Sequence, residues 1–246
     1  MESRPKVVRV DKIIDRAAIK EEREELDKVN AELVLAECQT EEETIAATKD
    51  ADAVITMFGQ MTRRVIASSP KLRVIVRYGI GYDTVDVDAA TDNGVMVINI
   101  PDFCLEEVST HAILLLLACN RRLTLFNRLV KEGRWSEWWG LRTPMGSIYG
   151  QTLGLVGCGN IGRSTARKAR AFDLRVIGHD PYVDRKLAEE AGIELVDLPE
   201  LLKESDYVSL HTPLNKETWH LIGENELKQM KPTAYLINTA RGSVVD

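Results

Sequence analysis

Three groups of residues have the types and spacing to do chemistry. The first, Gly157-Cys158-Gly159-Asn160-Ile161-Gly162, directly follows an apolar run at 152–156 and precedes a stretch whose spacing predicts a helix over 161–172. In such a turn Gly157 would allow the tight bend, and Gly159 would let the backbone approach a pyrophosphate. Gly162 would let the helix pack closely on the strand while its first amides face the phosphates. Asp180, 18 residues after Gly162, ends the next predicted strand. A carboxylate there accepts hydrogen bonds from ribose hydroxyls and repels a 2′-phosphate, which predicts NAD rather than NADP. An aspartate ahead of Pro181 also suits a plain turn. The glycine spacing alone is a weak signal, and the strand, helix and acid around it give it weight.

The second group, Asn238-Thr239-Ala240-Arg241-Gly242, ends the last predicted strand, at the edge where open α/β sheets bind ligands. An arginine there can present a planar fork to a carboxylate and polarise an adjacent keto oxygen. Taken alone it would read as a surface ion-pair arginine. The third group, Arg77-Tyr78-Gly79-Ile80-Gly81-Tyr82-Asp83, is a glycine-rich turn whose amides could hold a carboxylate or could simply reverse the chain. Glu106 and Glu107 are expected to be acids of a helix N-terminus, since adjacent helical residues point about 100° apart. His111 lies in an apolar helical stretch and is expected in the core or a dimer interface. None of His111, His179, His211 and His220 is assigned as a catalytic acid. Trp135, Trp138 and Trp139 fit a protein interface better than a substrate-facing arm.

These groups must be carried by elements that alternate. Strands predicted at 7–10, 32–36, 53–57, 73–78 and 95–98, then at 152–156, 174–178, 193–196, 206–211 and 234–238, are separated by helical stretches, the pattern of parallel βαβ units. Thr40 and Glu43 form a capping box for one helix. A longer helix over 105–122, acidic at its start and basic at its end, connects the two series. Residues 133–150, with three tryptophans among Gly, Ser and Pro, read as a loop or arm. The expected fold class is α/β with two Rossmann-like or flavodoxin-like parallel-sheet domains, 1–101 and 102–246. The second ends one strand short of a six-stranded dinucleotide sheet, which reads as a chain truncated at its C-terminal end.

The 246 residues have an ordinary globular composition, 44% hydrophobic and 28% charged. A net charge of −6 repels phosphate backbones and argues against nucleic acid as a partner. The longest apolar run, 112–119, is far short of the ~20 residues that cross a bilayer, and the N-terminus lacks the apolar core of a signal peptide. Cys38, Cys104, Cys119 and Cys158 show no CxxC spacing and read as reduced buried thiols, with no metal site. Cytoplasmic location is the expectation.

The order of Arg77 to Asp83 with Val85-Asp86, Val97-Ile98-Asn99-Ile100-Pro101, the glycine turn with Asp180, His211-Thr212-Pro213-Leu214-Asn215 and Asn238 to Gly242 resembles the D-2-hydroxyacid dehydrogenases, over essentially everything from Arg73 on. The bacterial branch related to the C-terminal binding proteins is most similar, because Arg77 precedes the glycine turn; phosphoglycerate dehydrogenases are similar as well. The resemblance implies a substrate or lid domain followed by an NAD domain, with the active site in the cleft and NAD as cofactor. It implies that the Ile80 and Gly81 amides bind a substrate carboxylate, faced by Arg77, and that Asn160 and Ile161 supply amides to the pyrophosphate. It implies further that Thr212 and Pro213 line the nicotinamide ribose, that Thr218 sits near a phosphate, and that Thr239, Ala240 and Arg241 stand at the nicotinamide, with Arg241 orienting the substrate. A homodimer through 105–150 is also implied.

The family's usual Val-Ala-Glu-His appears here as Val108-Ser109-Thr110-His111. The family's acid/base His and its Glu lie downstream of the position matched by Arg241, and neither is in this sequence. The expected function is NAD-dependent interconversion of a D-2-hydroxy acid and its 2-keto acid, with this chain alone expected to be inactive or very slow. The alternative is an NAD(H)-sensing, corepressor-like binding protein.

Overall fold

The computed structural model describes residues 4–11, 16–140 and 145–246. The chain divides into two compact units, Met1–Phe103 and Cys104–Asp246.

In the first unit the strands β1 (Lys6–Arg9), β2 (Glu32–Leu35), β3 (Ala53–Thr56), β4 (Val74–Arg77) and β5 (Met96–Ile98) alternate with helices α1 (Arg16–Lys28), α2 (Glu41–Thr48), α3 (Arg63–Ala67) and α4 (Val87–Asp92). All five strands are parallel, in the order β2-β1-β3-β4-β5. That is the flavodoxin-like order. The Val/Ile runs form strands because helices cover both faces and leave no polar side to alternate with: Val8, Val10, Val54 and Ile75 are fully buried. The Thr40 capping box is present, with the Glu43 amide donating to Thr40 Oγ1 (3.2 Å) and the Thr40 amide to Glu43 Oε2 (3.2 Å).

The second unit opens with α5 (Leu105–Asn120) and α6 (Leu123–Lys131), followed by a 3-10 turn, Trp135–Gly140. The alternating series then runs β6 (Thr152–Val156), α7 (Asn160–Arg170), β7 (Arg175–His179), α8 (Arg185–Glu190), β8 (Glu194–Leu195), α9 (Leu198–Glu204), β9 (Tyr207–Leu210), α10 (Glu224–Leu227) and β10 (Tyr235–Asn238). These strands are also parallel, ordered β10-β9-β6-β7-β8. Counted within the unit this is 5-4-1-2-3, the dinucleotide-binding order, which reverses between β6 and β9. All five residues of β6 are buried.

Three expectations are corrected by the structure. The helix expected to run to Arg122 stops at Asn120, because Arg122 adopts a left-handed conformation (φ 49°) and a separate helix, α6, begins. The buried Asn120 marks the break, its side-chain amide donating to Tyr207 Oη (2.8 Å) and to the Gly146 carbonyl (3.3 Å). The tryptophan stretch, expected as a loop or arm, holds a 3-10 turn: the Trp138 and Trp139 ring centroids lie 4.0 Å apart, and Trp135 packs on Phe126 of α6 at 5.9 Å. The part of the proposed arm at 141–144 lies outside the described residues. Of the four expected buried thiols only Cys158 is buried; Cys38, Cys104 and Cys119 are half-buried, and all four are free. Among the described residues no helix is long and apolar enough to cross a membrane.

Candidate functional site

The carboxyl end of β6 feeds straight into the glycine turn. Gly157 has φ +95°, and a Cβ there would lie 2.8 Å from the His211 backbone, so both the conformation and the space demand glycine. At Gly162 a Cβ would fall 2.3 Å from the Gly157 carbonyl oxygen, which is the close passage of α7 over the turn. At Gly159, the N-cap of α7, no atom lies within 4 Å of the Cβ position, and no side chain caps the helix. The amides of the first turn, including those of Asn160 and Ile161, stand uncapped by any side chain at the positive end of the helix dipole. This is a cradle that fits a pyrophosphate.

Asp180, just past β7, ties this turn to its neighbour. Its Oδ2 accepts from the Cys158 amide (2.8 Å), and its Oδ1 from the amides of Tyr182 (2.9 Å) and Val183 (3.1 Å). The turn-forming role and the place beside the cradle thus occur together. A carboxylate has about four lone-pair sites, so acceptor capacity remains for ribose hydroxyls.

Across the switch point, after β9, His211 is held by its amide to the Val156 carbonyl (2.8 Å), with Nε2 3.0 Å from Ser209 Oγ. Burial pushes its imidazole down to about 4, so it is neutral at pH 7. Thr212 Oγ1 is buried without a hydrogen-bond partner, as is Thr239 Oγ1 at the end of β10. Buried hydroxyls are normally satisfied, and two orphans at adjacent strand ends fit an absent polar ligand. Pro213 is exposed. The Thr218 hydroxyl donates to the Pro213 carbonyl (2.6 Å) and accepts from the Asn215 amide (2.9 Å), so its proton is already in use. Arg241 is half-buried after β10, its Nη1 donating to the Ala240 carbonyl (3.0 Å); Asn238 Nδ2 donates to the Arg241 carbonyl (2.8 Å) and fixes the bend.

Of the two places expected for His111, the core or a dimer interface, the structure excludes the core. Residues 109, 112, 113, 116 and 120 form the buried face of α5. His111 falls on the neighbouring stripe, exposed, and with Glu107, Val108, Thr239 and Ala240 lines a cavity of about 610 Å³ beside β10. Glu106 does more than end a helix. Its carboxylate receives Lys168 Nζ (2.6 Å) and Arg167 Nη2 (2.7 Å) of α7, bonds that hold it well below the usual carboxylate range. Ser109, where the family pattern has Ala, is fully buried and bonded to Ser164 Oγ (3.1 Å), so α5 and α7 are joined through polar groups.

In the first unit Arg77 ends β4 and is buried, and Gly79 follows with φ +134°. A Cβ on Gly79 would lie within bonding distance of the Arg77 guanidinium, so the arginine folds back over the glycine. The Gly79 carbonyl accepts from the Ile100 amide (3.0 Å) and the Ile80 carbonyl from Asn99 Nδ2 (2.7 Å). Those bonds hold the turn through its carbonyls.

Asp11 belongs to none of the sequence motifs. This buried carboxylate, just past β1, accepts the amides of Met57 (2.5 Å), Phe58 (2.7 Å) and Gly59 (2.7 Å) and builds the loop after β3. An aspartate following an apolar strand was its only local signal. Among the described residues no cluster of three or more His, Cys, Asp or Glu could hold a metal ion.

A parallel sheet of dinucleotide order, with a glycine turn at its switch point and an acid at the end of the next strand, defines a dinucleotide-binding α/β protein. Comparison with known proteins then narrows the class. The sequence model of the D-isomer specific 2-hydroxyacid dehydrogenase family, NAD binding domain, matches residues 113–246, and the chain belongs to this family. It is 43% identical over 204 residues to a glyoxylate reductase of Korarchaeum cryptofilum, covering 82% of this chain and 61% of the relative. It is 39% identical over 217 residues to a D-3-phosphoglycerate dehydrogenase of Methanocaldococcus jannaschii, covering 87% and 41%. A crystal structure of a D-lactate dehydrogenase from Aquifex aeolicus with NAD and lactic acid matches with a TM-score of 0.85 and 29% identity, covering 98% of this chain and 70% of that one. The chain thus spans about three-fifths or less of the length of these two relatives.

Proposed function

We propose that the protein is an NAD-dependent oxidoreductase that interconverts a D-2-hydroxy acid and its 2-oxo acid. The observation that carries this reading is the uncapped N-terminus of α7, open above Gly159, with Asp180 bonded to the same turn from the next strand. In this reading Gly157, Gly159 and Gly162 shape the cradle, and the Asn160 and Ile161 amides bind the pyrophosphate. Asp180 takes the adenosine ribose and selects against a 2′-phosphate. Thr212 and Pro213 line the second ribose, Thr218 braces the loop near a phosphate, and Thr239 and Ala240 flank the nicotinamide. When bound, NAD(H) supplies or accepts the hydride.

The chain's own residues bind and orient the substrate. The first unit acts as the substrate domain, where the Ile80 and Gly81 amides and Arg77 receive the carboxylate. In the second, NAD-binding unit, Arg241 holds the substrate by a charge-assisted fork beside the reacting carbonyl. The resulting alkoxide needs a proton donor with a pKa near 7, and none of the four histidines takes that role. His211, held neutral by burial, is the poorest candidate. The relatives are reductases and dehydrogenases, which favours this reading over the NAD-sensing one. A cytoplasmic homodimer built through 105–150 completes the proposal; the exposed Trp135 and Trp139 support the interface, and light scattering of wild type against Trp139→Ser tests it.

The deciding experiment is fluorescence titration with NADH and NADPH, followed by assay of the full-length protein with glyoxylate, pyruvate and hydroxypyruvate. Tight NADH binding, weaker NADPH binding and reduction of at least one acid are expected. Failure to bind NADH would overturn the proposal.

A further inference from the structure

Beside Tyr78, the residue that precedes the glycine turn of the first unit, lies a buried ion pair. Arg9, on β1, is 7% exposed, and Glu22, on α1, is 9% exposed. Arg9 Nη1 donates to Glu22 Oε1 at 2.5 Å. The guanidinium carbon stands 5.9 Å from the ring centroid of Tyr78, and Tyr78 is the residue immediately before Gly79-Ile80-Gly81. Burial and the Glu22 carboxylate push the Tyr78 hydroxyl up to about 12, so it stays a neutral phenol.

Gly79 and Gly81 have no side chains with which to anchor themselves, and Gly79 sits at a φ of +134° that other residues rarely adopt. The turn must therefore be held from outside. Asn99 and Ile100 hold its carbonyls on one side. On the other, Tyr78 is fixed by its amide to the Thr56 carbonyl (2.8 Å) and by its ring, packed in the apolar cluster of Val7, Ala31 and Ile55 beside the pair. A buried ion pair is a poor way to gain stability, since apolar residues of similar volume often serve as well. What a pair adds is direction: it fixes where the guanidinium sits, and the ring with it.

We propose that the buried Arg9–Glu22 pair is a positioning element for carboxylate recognition, holding the Tyr78 ring so that the turn presents the Ile80 and Gly81 amides in a fixed geometry. This rests on the reading of that turn as the substrate-carboxylate site. Neither Arg9 nor Glu22 touches substrate in this account.

The test uses Glu22→Gln and the apolar replacement Arg9→Met/Glu22→Leu in the full-length protein. Two readouts are followed: amide hydrogen exchange, and KM and kcat for glyoxylate at saturating NADH. In E22Q, exchange at the Ile100 and Tyr78 amides should quicken at least tenfold relative to that at Val8 and Val54. KM should rise about tenfold, with kcat within twofold and the NADH Kd unchanged. The double variant should regain the wild-type melting temperature but keep the raised KM. Wild-type KM in both variants would overturn the proposal, as would E22Q quickening exchange at all four amides equally. Gly81→Ala, assayed in parallel, separates the two layers. If G81A leaves KM unchanged, the carboxylate reading fails, while the exchange data still decide whether the pair orders the turn.

Discussion

Replacing Gly159 by Ala separates the space for a ligand from the needs of the fold. At Gly159 φ is −66°, a value any residue adopts, and the new methyl would meet no atom within 4 Å. Stability should therefore stay level or rise by about 0.4–1 kcal/mol through the unfolded state, which in a chain of this size is about 1–4 °C in Tm. The methyl would nonetheless occupy the opening over the α7 N-terminus. Losing one charge-assisted amide–phosphate bond costs about 1.5–3 kcal/mol, a ten- to hundredfold weaker NADH affinity. Gly162→Ala is the opposing control. Its Cβ would lie 2.3 Å from a backbone carbonyl oxygen, and relieving that overlap should cost about 1–3 kcal/mol or more, a Tm drop of several degrees. Differential scanning calorimetry and NADH fluorescence titration on both variants read the two effects. An unchanged NADH Kd in G159A, or a Tm loss there equal to that of G162A, would refute the reasoning.

Further expectations concern charge. Arg241→Gln should lower kcat/KM for a 2-oxo acid by roughly 10²- to 10⁴-fold in the full-length protein with little change in NADH Kd, as measured by steady-state kinetics beside titration. Asp11→Asn removes the charge and replaces with an NH2 donor one of the two oxygens that between them accept three amides; it should destabilise the protein by about 2–4 kcal/mol in urea unfolding, and retention of wild-type stability would refute the assigned role. The His211 imidazole is held near 4 against an ordinary value near 6.5. The unfolded chain then binds the proton first as pH falls, so stability should drop between about pH 6.5 and 4, by about 3 kcal/mol in all from this group. His211→Gln should flatten that part of the profile in urea midpoints measured against pH.

The strands were legible because parallel sheets covered on both faces require unbroken β-branched runs, and all ten predicted runs became strands. Helix boundaries were less so. Arg122 carries no glycine or proline signal, yet it takes the left-handed conformation that ends one helix and starts another. The glycine turn and Asp180 were readable because their spacing is itself the geometry, a bend, a helix start and a strand end within 24 residues. Asp11 and Arg9 were not. Their partners lie 46 to 48 and 13 residues away, and a place in or just after an apolar strand does not say which partner they meet. Glu106 looked like a helix-terminal acid, and its bond to Lys168, 62 residues on, is what binds α5 to α7.

The alternation of elements, the parallel sheets and the places where a glycine had to stand follow from short-range sterics and from burial that is uniform along a strand, and both are written in the order of residues. Which charges are buried, and what they hold, came from the folding of the whole chain. It put three backbone amides on Asp11, set Arg9 and Glu22 beside Tyr78, and brought His111 to a cavity wall rather than the core. The physical reason is that a hydrogen bond or ion pair is fixed by the meeting of distant strand ends, and that meeting depends on strand order, which sequence spacing alone does not specify.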